Sequence, residues 1–587
     1  MLSIFLKKAT AVALLFLGHV SSQQMELSDC SLLGPIYPMP ANITASPVIQ
    51  ETQAAFNDIL DESFVNGTTS WGRFNVVNIS ASIGVFSAQT GDFLSEYHHA
   101  GSGHLVQEGL IGGQLNAETL YRIGSVGKVL TVYTFMAKLG SKYWSEPVVN
   151  FVPELMDARD DGPVRSINWS QITLGSLARQ MSGLPRDYAV TDLARIPGVT
   201  EVGLPKLNAS EIPNCGGPGE KPCTPAVEFL RFIEAQTPVA ASWDTPIYSN
   251  EAFQLLGMAF ENITGEAISD SFKSDIAKPL DLKRSFWTPP INDANAMVVN
   301  PPGAHRFDED IGDFSAAGGQ VMSLGDLSSL GRSVLRSSLL PPALTREWLK
   351  STSLTSDPGY VVGMPWETLR MDVPISLGSN KTRVVDIYSK NGGLGGYSSW
   401  IFLSPDHDIG FTILVASPDV QASGTAALAA LSNLALATWI PAAEAAARAA
   451  AIANLAGYYA VANGGNSSIS LEVVPGYKGL QIAELTYKGT NVLELLAEDG
   501  ATLQYMNLND DDGQLTFRAI PQYLRSPPVS PSKYGLLNEC STNWAAVDTF
   551  KYGGFGLDEF IIDIDGTGKA TAVLAPALRT TFLRRDA

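Results

Sequence analysis

The chain has 587 residues, more than one hydrophobic core usually holds, so the sequence predicts at least two domains. A net charge of −20 at pH 7 argues against nucleic acid and against an anionic membrane surface as partners. The hydrophobic content of 45% is typical of a globular protein and excludes a disordered chain.

The N-terminus has the pattern of a secretory signal peptide over residues 1–22. Lys7 and Lys8 precede an apolar stretch over residues 9–18, and small residues before Gln23 suit cleavage. About ten apolar residues are too few to span a bilayer. A buried N-terminal helix is the alternative interpretation. The C-terminal residues have no apolar tail of the kind that a lipid anchor needs. We therefore expect a secreted, extracellular protein without a stable membrane anchor.

Two further patterns are typical of exported proteins. Asn-x-Ser/Thr glycosylation acceptors occur at Asn42, Asn66, Asn78, Asn168, Asn208, Asn262, Asn380 and Asn466. The four cysteines allow three pairings. Cys215 and Cys223 bracket a short loop that a local disulfide could close, and Cys30 would then pair with Cys540. Free buried thiols are the alternative.

The first predicted elements are an amphipathic helix and two strands. Apolar residues recur at helical spacing over residues 47–64. Residues 76–87 and 93–99 have strand character and are joined by a predicted turn at residues 90–92. The run over residues 129–139 is apolar nearly all round, which predicts a buried helix.

A hydroxyl and an amine stand at the start of that buried helix. Ser125 and Lys128 are three residues apart, so their side chains share one face of a helix. The amine can accept or stabilise the hydroxyl proton, and the helix dipole favours developing negative charge. Alternatively, Ser125 caps the helix and Lys128 extends to solvent. A second Ser-x-x-Lys sequence, residues 530–533, contains a proline that is incompatible with a helix.

The middle of the chain alternates helical patterns with long loops, and strands then resume. Helices are predicted over residues 172–181, 252–261, 324–335 and 426–440, and strands over residues 383–389, 397–403 and 409–416. Helices that lie between two groups of strands favour an α+β fold, in which helices cover an antiparallel sheet.

Two further short motifs carry candidate chemistry. Tyr248 and Asn250 lie on a predicted loop before a helix, where a tyrosine could exchange protons with a serine and an amide could orient a substrate. Lys390-Asn391-Gly392-Gly393 is predicted at the end of a strand, where glycines permit a ligand to approach backbone N–H donors. The alternative is a glycine-rich hairpin with an exposed lysine.

In this order, the three motifs resemble those of the serine β-lactamase and penicillin-binding-protein superfamily, and most closely its class C branch and related esterases. Ser125/Lys128 matches Ser-x-x-Lys, Tyr248/Asn250 matches Tyr-x-Asn, and residues 390–392 stand for Lys-Thr-Gly. With its C-terminal extension, the whole chain resembles secreted β-lactamase-like proteins of fungi. Asn391 departs from the pattern. The enzymes that act on β-lactams have a hydroxyl residue there, which grips the antibiotic's carboxylate together with the lysine.

The resemblance implies acyl transfer from a small-molecule carbonyl substrate, without a metal or another cofactor. Ser125 would attack the carbonyl carbon, and Lys128 with Tyr248 would manage its proton. Backbone N–H groups of Ser125 and Gly393 would hold the oxyanion, and the substrate would be bound by Asn250, Lys390, Asn391 and Gly392. We therefore expect a serine hydrolase that acts on an ester, lactone or amide. A catalytically silent binding protein that retains the fold and an acyltransferase are the alternatives.

The composition shifts near residue 441, which predicts a domain boundary. Residues 23–441 are predicted to form the β-lactamase-like hydrolase domain with an N-terminal extension. Pro441 is predicted to end a helix, and residues 442–454 to form a helical connector. Residues 455–587 are predicted to form a smaller all-β domain, an antiparallel sandwich or barrel. Its predicted strands cover residues 469–474, 480–485, 492–496, 515–520 and 560–564.

Overall fold

The structure is a computed structural model that describes residues 29–158, 160–162, 164–196, 198–223, 227–301, 303–419, 424–462, 465–496, 500–508, 513–522 and 540–585. Its strands are β1 Thr68–Thr69, β2 Gly72–Arg73, β3 Ser80–Ser87, β4 Phe93–Ala100, β5 Leu120–Arg122, β6 Ser285–Phe286, β7 Val321–Ser323, β8 Ser353–Leu354, β9 Tyr360–Val362, β10 Glu367–Pro374, β11 Thr382–Leu394, β12 Tyr397–Ser404, β13 Ile409–Ala416, β14 Gly457–Ala460, β15 Ser468–Glu472, β16 Leu480–Tyr487, β17 Thr490–Asn491, β18 Ala501–Tyr505, β19 Gln514–Pro521, β20 Lys551–Tyr552, β21 Phe555–Gly556, β22 Glu559–Ile564, β23 Ala570–Ala575 and β24 Thr580–Arg585. Its α-helices are α1 Pro47–Asn66, α2 His104–Gly109, α3 Gly127–Leu139, α4 Leu174–Ala178, α5 Val227–Glu234, α6 Glu251–Thr264, α7 Ile268–Ser271, α8 Ser315–Gly318, α9 Leu324–Leu335, α10 Pro342–Trp348, α11 Thr425–Asn454, α12 Leu493–Leu496 and α13 Asn543–Ala546.

An eight-stranded antiparallel sheet forms the centre of the larger domain, in the order β4-β3-β13-β12-β11-β10-β9-β8. Strands β3 and β13 are buried along their whole length, because helices cover both faces of the sheet. Helices α1 and α11 pack on one face, where Phe56 and Trp439 meet edge to face. Helices α3, α6 and α9 belong to the core on the other face. This arrangement confirms the predicted α+β fold.

Helix α11 does not end at the proline near its middle. It runs unbroken over 30 residues, with Pro441 inside it, so the predicted helix end at Pro441 is wrong. The alanines that follow Pro441 are mostly buried, and that packing outweighs the cost of a proline in a helix, about 3 kcal/mol. By length and composition α11 could cross a membrane, but 67% of its most apolar window is buried inside the protein. Helix α11 is therefore a core helix.

The smaller domain is a β-barrel. Its sheet runs in the order β15-β14-β24-β23-β22-β19-β18-β16-β17, and β15 also pairs with β16, which closes the barrel. This confirms the predicted all-β domain in its barrel form. One predicted strand, residues 492–496, is wrong, because Leu493–Leu496 forms the short helix α12. Strands β14, β18, β23 and β24 were not predicted.

The N-terminal extension packs on both domains, because Ile43 belongs to the core of the hydrolase domain and the residues before it reach the barrel. Ile36 and Tyr37 are buried in the barrel core, and the Tyr37 hydroxyl donates to the carbonyl of Gly479 at 2.9 Å. Both predicted disulfides form: Cys30 with Cys540, at an S–S distance of 2.09 Å, and Cys215 with Cys223, at 2.04 Å. The first joins this extension covalently to the C-terminal part of the chain.

Candidate active site

Ser125 lies on a tight turn that leads directly into the buried helix α3. The turn, Gly124–Val126, is one turn of 3-10 helix, and Ser125 is partly exposed between buried neighbours. The hydroxyl of Ser399 on β12 donates to the carbonyl of Ile123 at 2.6 Å and so fixes the turn to the sheet. Ser125 is thus a surface-accessible hydroxyl on a rigid support.

Glycines bring strand β11 directly against this turn. A Cβ at Gly392 would lie 2.1 Å from the carbonyl oxygen of Ile123, and a Cβ at Gly124 would lie 2.5 Å from the nitrogen of Gly393. Gly124 also has a φ of +49°, which favours glycine. The glycines are among the last residues of β11 and pair with β12, so they lie at the end of a strand, as the sequence predicted. The backbone of Gly393 therefore faces the Ser125 turn.

The ammonium of Lys128 is buried beneath Ser125 and has three acceptors. Its Nζ donates to Ser125 Oγ at 3.0 Å, to Asn250 Oδ1 at 2.6 Å and to the carbonyl of Ala317 at 2.5 Å. Lys128 is fully buried. Burial lowers the pKa of Lys128, and the charge of Lys390 lowers it further, while Tyr248 raises it.

Tyr248 approaches Ser125 from the loop before α6. Its hydroxyl donates to Ser125 Oγ at 2.6 Å, and Lys128 Nζ lies 5.0 Å from the centre of its ring. Burial alone would raise the pKa of Tyr248, but the nearby charges of Lys128 and Lys390 lower it below its usual value. A lowered pKa makes the phenolate form of Tyr248 more accessible, and a phenolate beside a hydroxyl can accept the hydroxyl proton.

Asn250 is held between a cation and a buried carboxylate. Its Oδ1 accepts from Lys128, and its Nδ2 donates to Asp187 Oδ1 at 2.6 Å. The side chain of Asp187 is 3% exposed and lies 3.3 Å from the guanidinium of Arg186. That guanidinium in turn lies 4.7 Å from the centre of the Tyr248 ring. The Asn250 amide therefore orients Lys128, in addition to the substrate-binding role that the resemblance implies.

Lys390 and Asn391 both bind Glu367 on the neighbouring strand β10. Lys390 Nζ donates to Glu367 Oε1 at 2.6 Å and lies 5.2 Å from the Tyr248 ring centre. Asn391 Nδ2 donates to Glu367 Oε2 at 2.8 Å. Burial lowers the pKa of Lys390, but Glu367 and the Tyr248 phenol raise it, and the net direction is upward.

The sequence motifs named the residues of this cluster but not the carboxylates that bind them. Ser125, Lys128, Tyr248, Asn250 and Lys390 come together as the sequence predicted. Asp187 stands two residues after Pro185, the last residue of the Ser182-Gly183-Leu184-Pro185 segment, and this closeness was the available signal. Glu367 has no signal in the sequence, because strand pairing alone brings it to Lys390.

Other predicted sites lie away from this cluster. The asparagines of the glycosylation acceptors are exposed, except for Asn78, which is half-buried. The predicted signal peptide and the second Ser-x-x-Lys sequence, residues 530–533, lie outside the described residues.

A family model described as Beta-lactamase matches residues 96–434. The chain belongs to this family. A second model, described as Beta-lactamase-like-like, C-terminal domain, matches residues 447–586 and covers the barrel. These matches confirm the family resemblance that the three motifs indicated, and they place the chain among β-lactamase-like hydrolases.

Curated relatives cover most of the chain. It is 27% identical to a beta-lactamase-like protein of Arthroderma benhamiae over 95% of this chain and 96% of the relative. It is 24% identical to a probable hydrolase of Phoma sp. over 84% of this chain and 78% of that relative. It is also 24% identical to the D-alanyl-D-alanine-carboxypeptidase/endopeptidase AmpH of Escherichia coli, over 51% of this chain and 72% of that enzyme.

Proposed function

We propose that this protein is a secreted serine hydrolase that cleaves an ester, lactone or amide through an acyl-enzyme. One observation carries the proposal: Ser125 Oγ lies between Lys128 Nζ at 3.0 Å and Tyr248 Oη at 2.6 Å, and it is partly exposed while Lys128 is buried. A hydroxyl between a cation and a phenol at the start of a helix is an activated nucleophile.

In this proposal, Tyr248 is the proton acceptor. Three acceptors surround Lys128, which matches the three donors of an ammonium, and that charge favours the phenolate form of Tyr248. Ser125 Oγ attacks the carbonyl carbon as its proton passes to Tyr248. The bond to the leaving group then breaks, and Tyr248 returns the proton to the departing oxygen or nitrogen. Water repeats the sequence on the acyl-enzyme and frees Ser125.

The developing oxyanion needs donors beside Ser125. We assign this role to the backbone N–H groups of Ser125 and Gly393, because the glycines of β11 lie against the Ser125 turn. Removing one oxyanion donor from such a site costs on the order of a hundredfold or more in kcat. No metal or cofactor is part of this proposal.

Export to an oxidising compartment is supported by the disulfides and by the exposed acceptor asparagines. The structure has two disulfides, and cytosolic proteins rarely keep such bonds. Asparagines within glycosylation acceptors, such as Asn208 and Asn380, are exposed. The signal-peptide pattern of residues 1–22 agrees with this localisation.

Covalent labelling with a fluorophosphonate tests the nucleophile. We expect the protein to be labelled at Ser125, and Ser125→Ala to abolish both labelling and turnover of 4-nitrophenyl esters, with the melting temperature within a few degrees of the original. Ser530→Ala, in the second Ser-x-x-Lys sequence, is the matched control and should keep full labelling. Labelling that survives Ser125→Ala would contradict the assignment, and an unlabelled folded protein would favour the silent binding protein.

Product analysis then separates hydrolysis from acyl transfer. The acyl-enzyme can be attacked by water or by another alcohol or amine, and in this proposal Tyr248 would accept the proton in either case. With an ester substrate and an added alcohol, we expect the free acid to be the main product. A transesterified product that dominates at low alcohol concentration would identify an acyltransferase instead.

A further inference from the structure

The carboxylate of Glu367 accepts hydrogen bonds from both polar side chains of the third motif, those of Lys390 and Asn391. Glu367 is paired with Ser389 across β10 and β11, so its side chain reaches the two residues that follow Ser389. Glu367 Oε1 accepts from Lys390 Nζ at 2.6 Å. Glu367 Oε2 accepts from Asn391 Nδ2 at 2.8 Å and from the Asn391 backbone N–H at 3.2 Å. Both carboxylate oxygens are therefore bound by donors of the motif.

This carboxylate takes the position that a substrate carboxylate would need. An ammonium beside amide donors is a binding site for an anion, and here the anion is part of the protein. The side chain of Lys390 is 1% exposed and that of Glu367 is 12% exposed, so the pair is shielded from solvent. A second carboxylate brought to Lys390 would find its charge already neutralised and would be repelled by Glu367 at short range.

The groups around the pair favour the same conclusion. Tyr360, on the next strand β9, faces Glu367, and burial together with the Glu367 charge raises the pKa of Tyr360, which keeps that phenol neutral. Arg186 is another cation beside Tyr248, but Asp187 lies 3.3 Å from its guanidinium. The described cations at Tyr248 other than Lys128 are thus each paired with a carboxylate.

We propose that Glu367 is a specificity-determining residue, a built-in counter-ion of Lys390 that selects acyl donors without a carboxylate near the scissile bond. This inference rests on the proposed hydrolase function and narrows its substrates to uncharged esters, lactones or amides. Glu367 takes no proton and touches no reacting atom in this role. It acts through Lys390, which keeps its charge close to Tyr248 while losing its capacity to bind an anionic substrate.

A matched pair of substrates tests the proposal. We use 3-carbamoylphenyl acetate and 3-carboxyphenyl acetate, which carry a carboxamide or a carboxylate of similar shape on the same leaving group. The intact protein should favour the neutral ester by about tenfold or more in kcat/KM. Glu367→Gln should reduce this preference by about tenfold, chiefly through a gain in kcat/KM for the anionic ester. If Glu367 had a purely structural role, kcat/KM would change equally for both substrates, and the ratio of the two kcat/KM values would stay the same.

The control is Asp372→Asn, which removes the same charge from an exposed position on the same strand β10. It should leave the ratio unchanged. The preference of the intact protein for the neutral ester, measured as the ratio of the two kcat/KM values, needs no variant. The proposal therefore stays falsifiable if Glu367→Gln does not fold. Equal kcat/KM values for the two esters, or an unchanged ratio in folded Glu367→Gln, would overturn it. Turnover without discrimination refutes this inference alone, whereas absence of both turnover and fluorophosphonate labelling refutes the hydrolase function.

Discussion

Lys128 Nζ donates to Asn250 Oδ1 across 2.6 Å, and the other end of that amide donates to a buried carboxylate, Asp187. An amide presents an acceptor at one end and donors at the other. Asp187 therefore fixes which end of Asn250 faces the lysine. The ammonium, the amide and the carboxylate form a hydrogen-bonded series that begins at the candidate nucleophile and ends at the buried Asp187.

The first prediction concerns this hydrogen-bonded series. Asp187→Asn allows the Asn250 amide to rotate, which would turn its NH₂ group towards Lys128 and remove an acceptor from the ammonium. Loss of a hydrogen bond to a charged group costs about 1.5–3 kcal/mol, so we expect kcat to fall about ten- to a hundredfold. The Asp187 charge also raises the pKa of Lys128. The step of the pH–rate profile that Lys128 controls should therefore move to lower pH.

Asp244→Asn is the matched control for Asp187→Asn. Asp244 is an exposed carboxylate four residues before Tyr248, and its replacement should leave kcat and the pH–rate profile unchanged. An Asp187→Asn protein with the original kcat and the original profile would show that the carboxylate does not act on the site.

The second prediction concerns helix α11. Residues 442–454, the predicted helical connector, form the second half of one continuous and largely buried helix, which should protect them from proteases. Elastase cleaves after small residues, so the alanines of this segment are a sensitive probe. We expect elastase to cut first in the exposed loop over residues 201–211 and to leave residues 442–454 intact. First cuts within residues 442–454, identified by mass spectrometry, would show that this half of α11 is accessible to proteases and would contradict the prediction.

The third prediction compares the two disulfides. Cys30 and Cys540 are 510 residues apart, whereas Cys215 and Cys223 are 8 apart. In the chain-entropy account, the longer loop gives the larger stabilisation. Replacing Cys30 and Cys540 by serine should lower the free energy of unfolding by about 2–4 kcal/mol, and the local pair should cost less. Denaturant unfolding of both double variants checks the order, and a larger loss for the local pair would contradict it.

Local sequence motifs were sufficient to name the residues that meet in the candidate site. Ser125 and Lys128 are close in space because they are three residues apart, across the 3-10 turn and the start of α3, and this spacing is visible in the sequence. Glu367 could not be predicted, because its distance to Lys390 depends on the pairing of β10 with β11. The helix end at Pro441 was predicted wrongly. The prediction used the low helix preference of proline, which is a local property, whereas the packing that outweighs it comes from residues distant in the sequence.

The same contrast applies to the strands. Strand β13 was predicted with its observed bounds, Ile409–Ala416, because it is a continuous apolar run next to a turn. Strands at the end of the chain, such as Thr580–Arg585, alternate exposed and buried residues and contain arginines, so their hydrophobic signal is weak. The extension of β11 through its glycines also went unpredicted. Glycine has a low strand preference, and pairing with β12 compensates for it.

The last prediction concerns a buried ionic cluster that joins the sheet to α11. Glu444 on α11 accepts from Arg383 on β11 at 2.8 Å and lies 2.9 Å from His407, and Asp406 also binds Arg383. Burial alone would raise the pKa of Glu444, but Arg383 and His407 lower it from 4.5 to about 2. A carboxylate whose folded pKa is depressed contributes stability that is present above its unfolded pKa. That stability is lost as the pH falls through its folded pKa.

The pH window in which this stability is lost therefore lies between pH 4.5 and about 2. Above it, Glu444→Gln should destabilise the protein by about 3–5 kcal/mol, since Arg383 loses its buried partner. As the pH falls through the window, the difference in melting temperature between the intact protein and this variant should shrink. Glu472→Gln, an exposed carboxylate on β15, is the control and should show a small difference at every pH. If the difference in melting temperature between the intact protein and Glu444→Gln stayed constant down to pH 2.5, Arg383 would not lower the pKa of Glu444 in the folded protein.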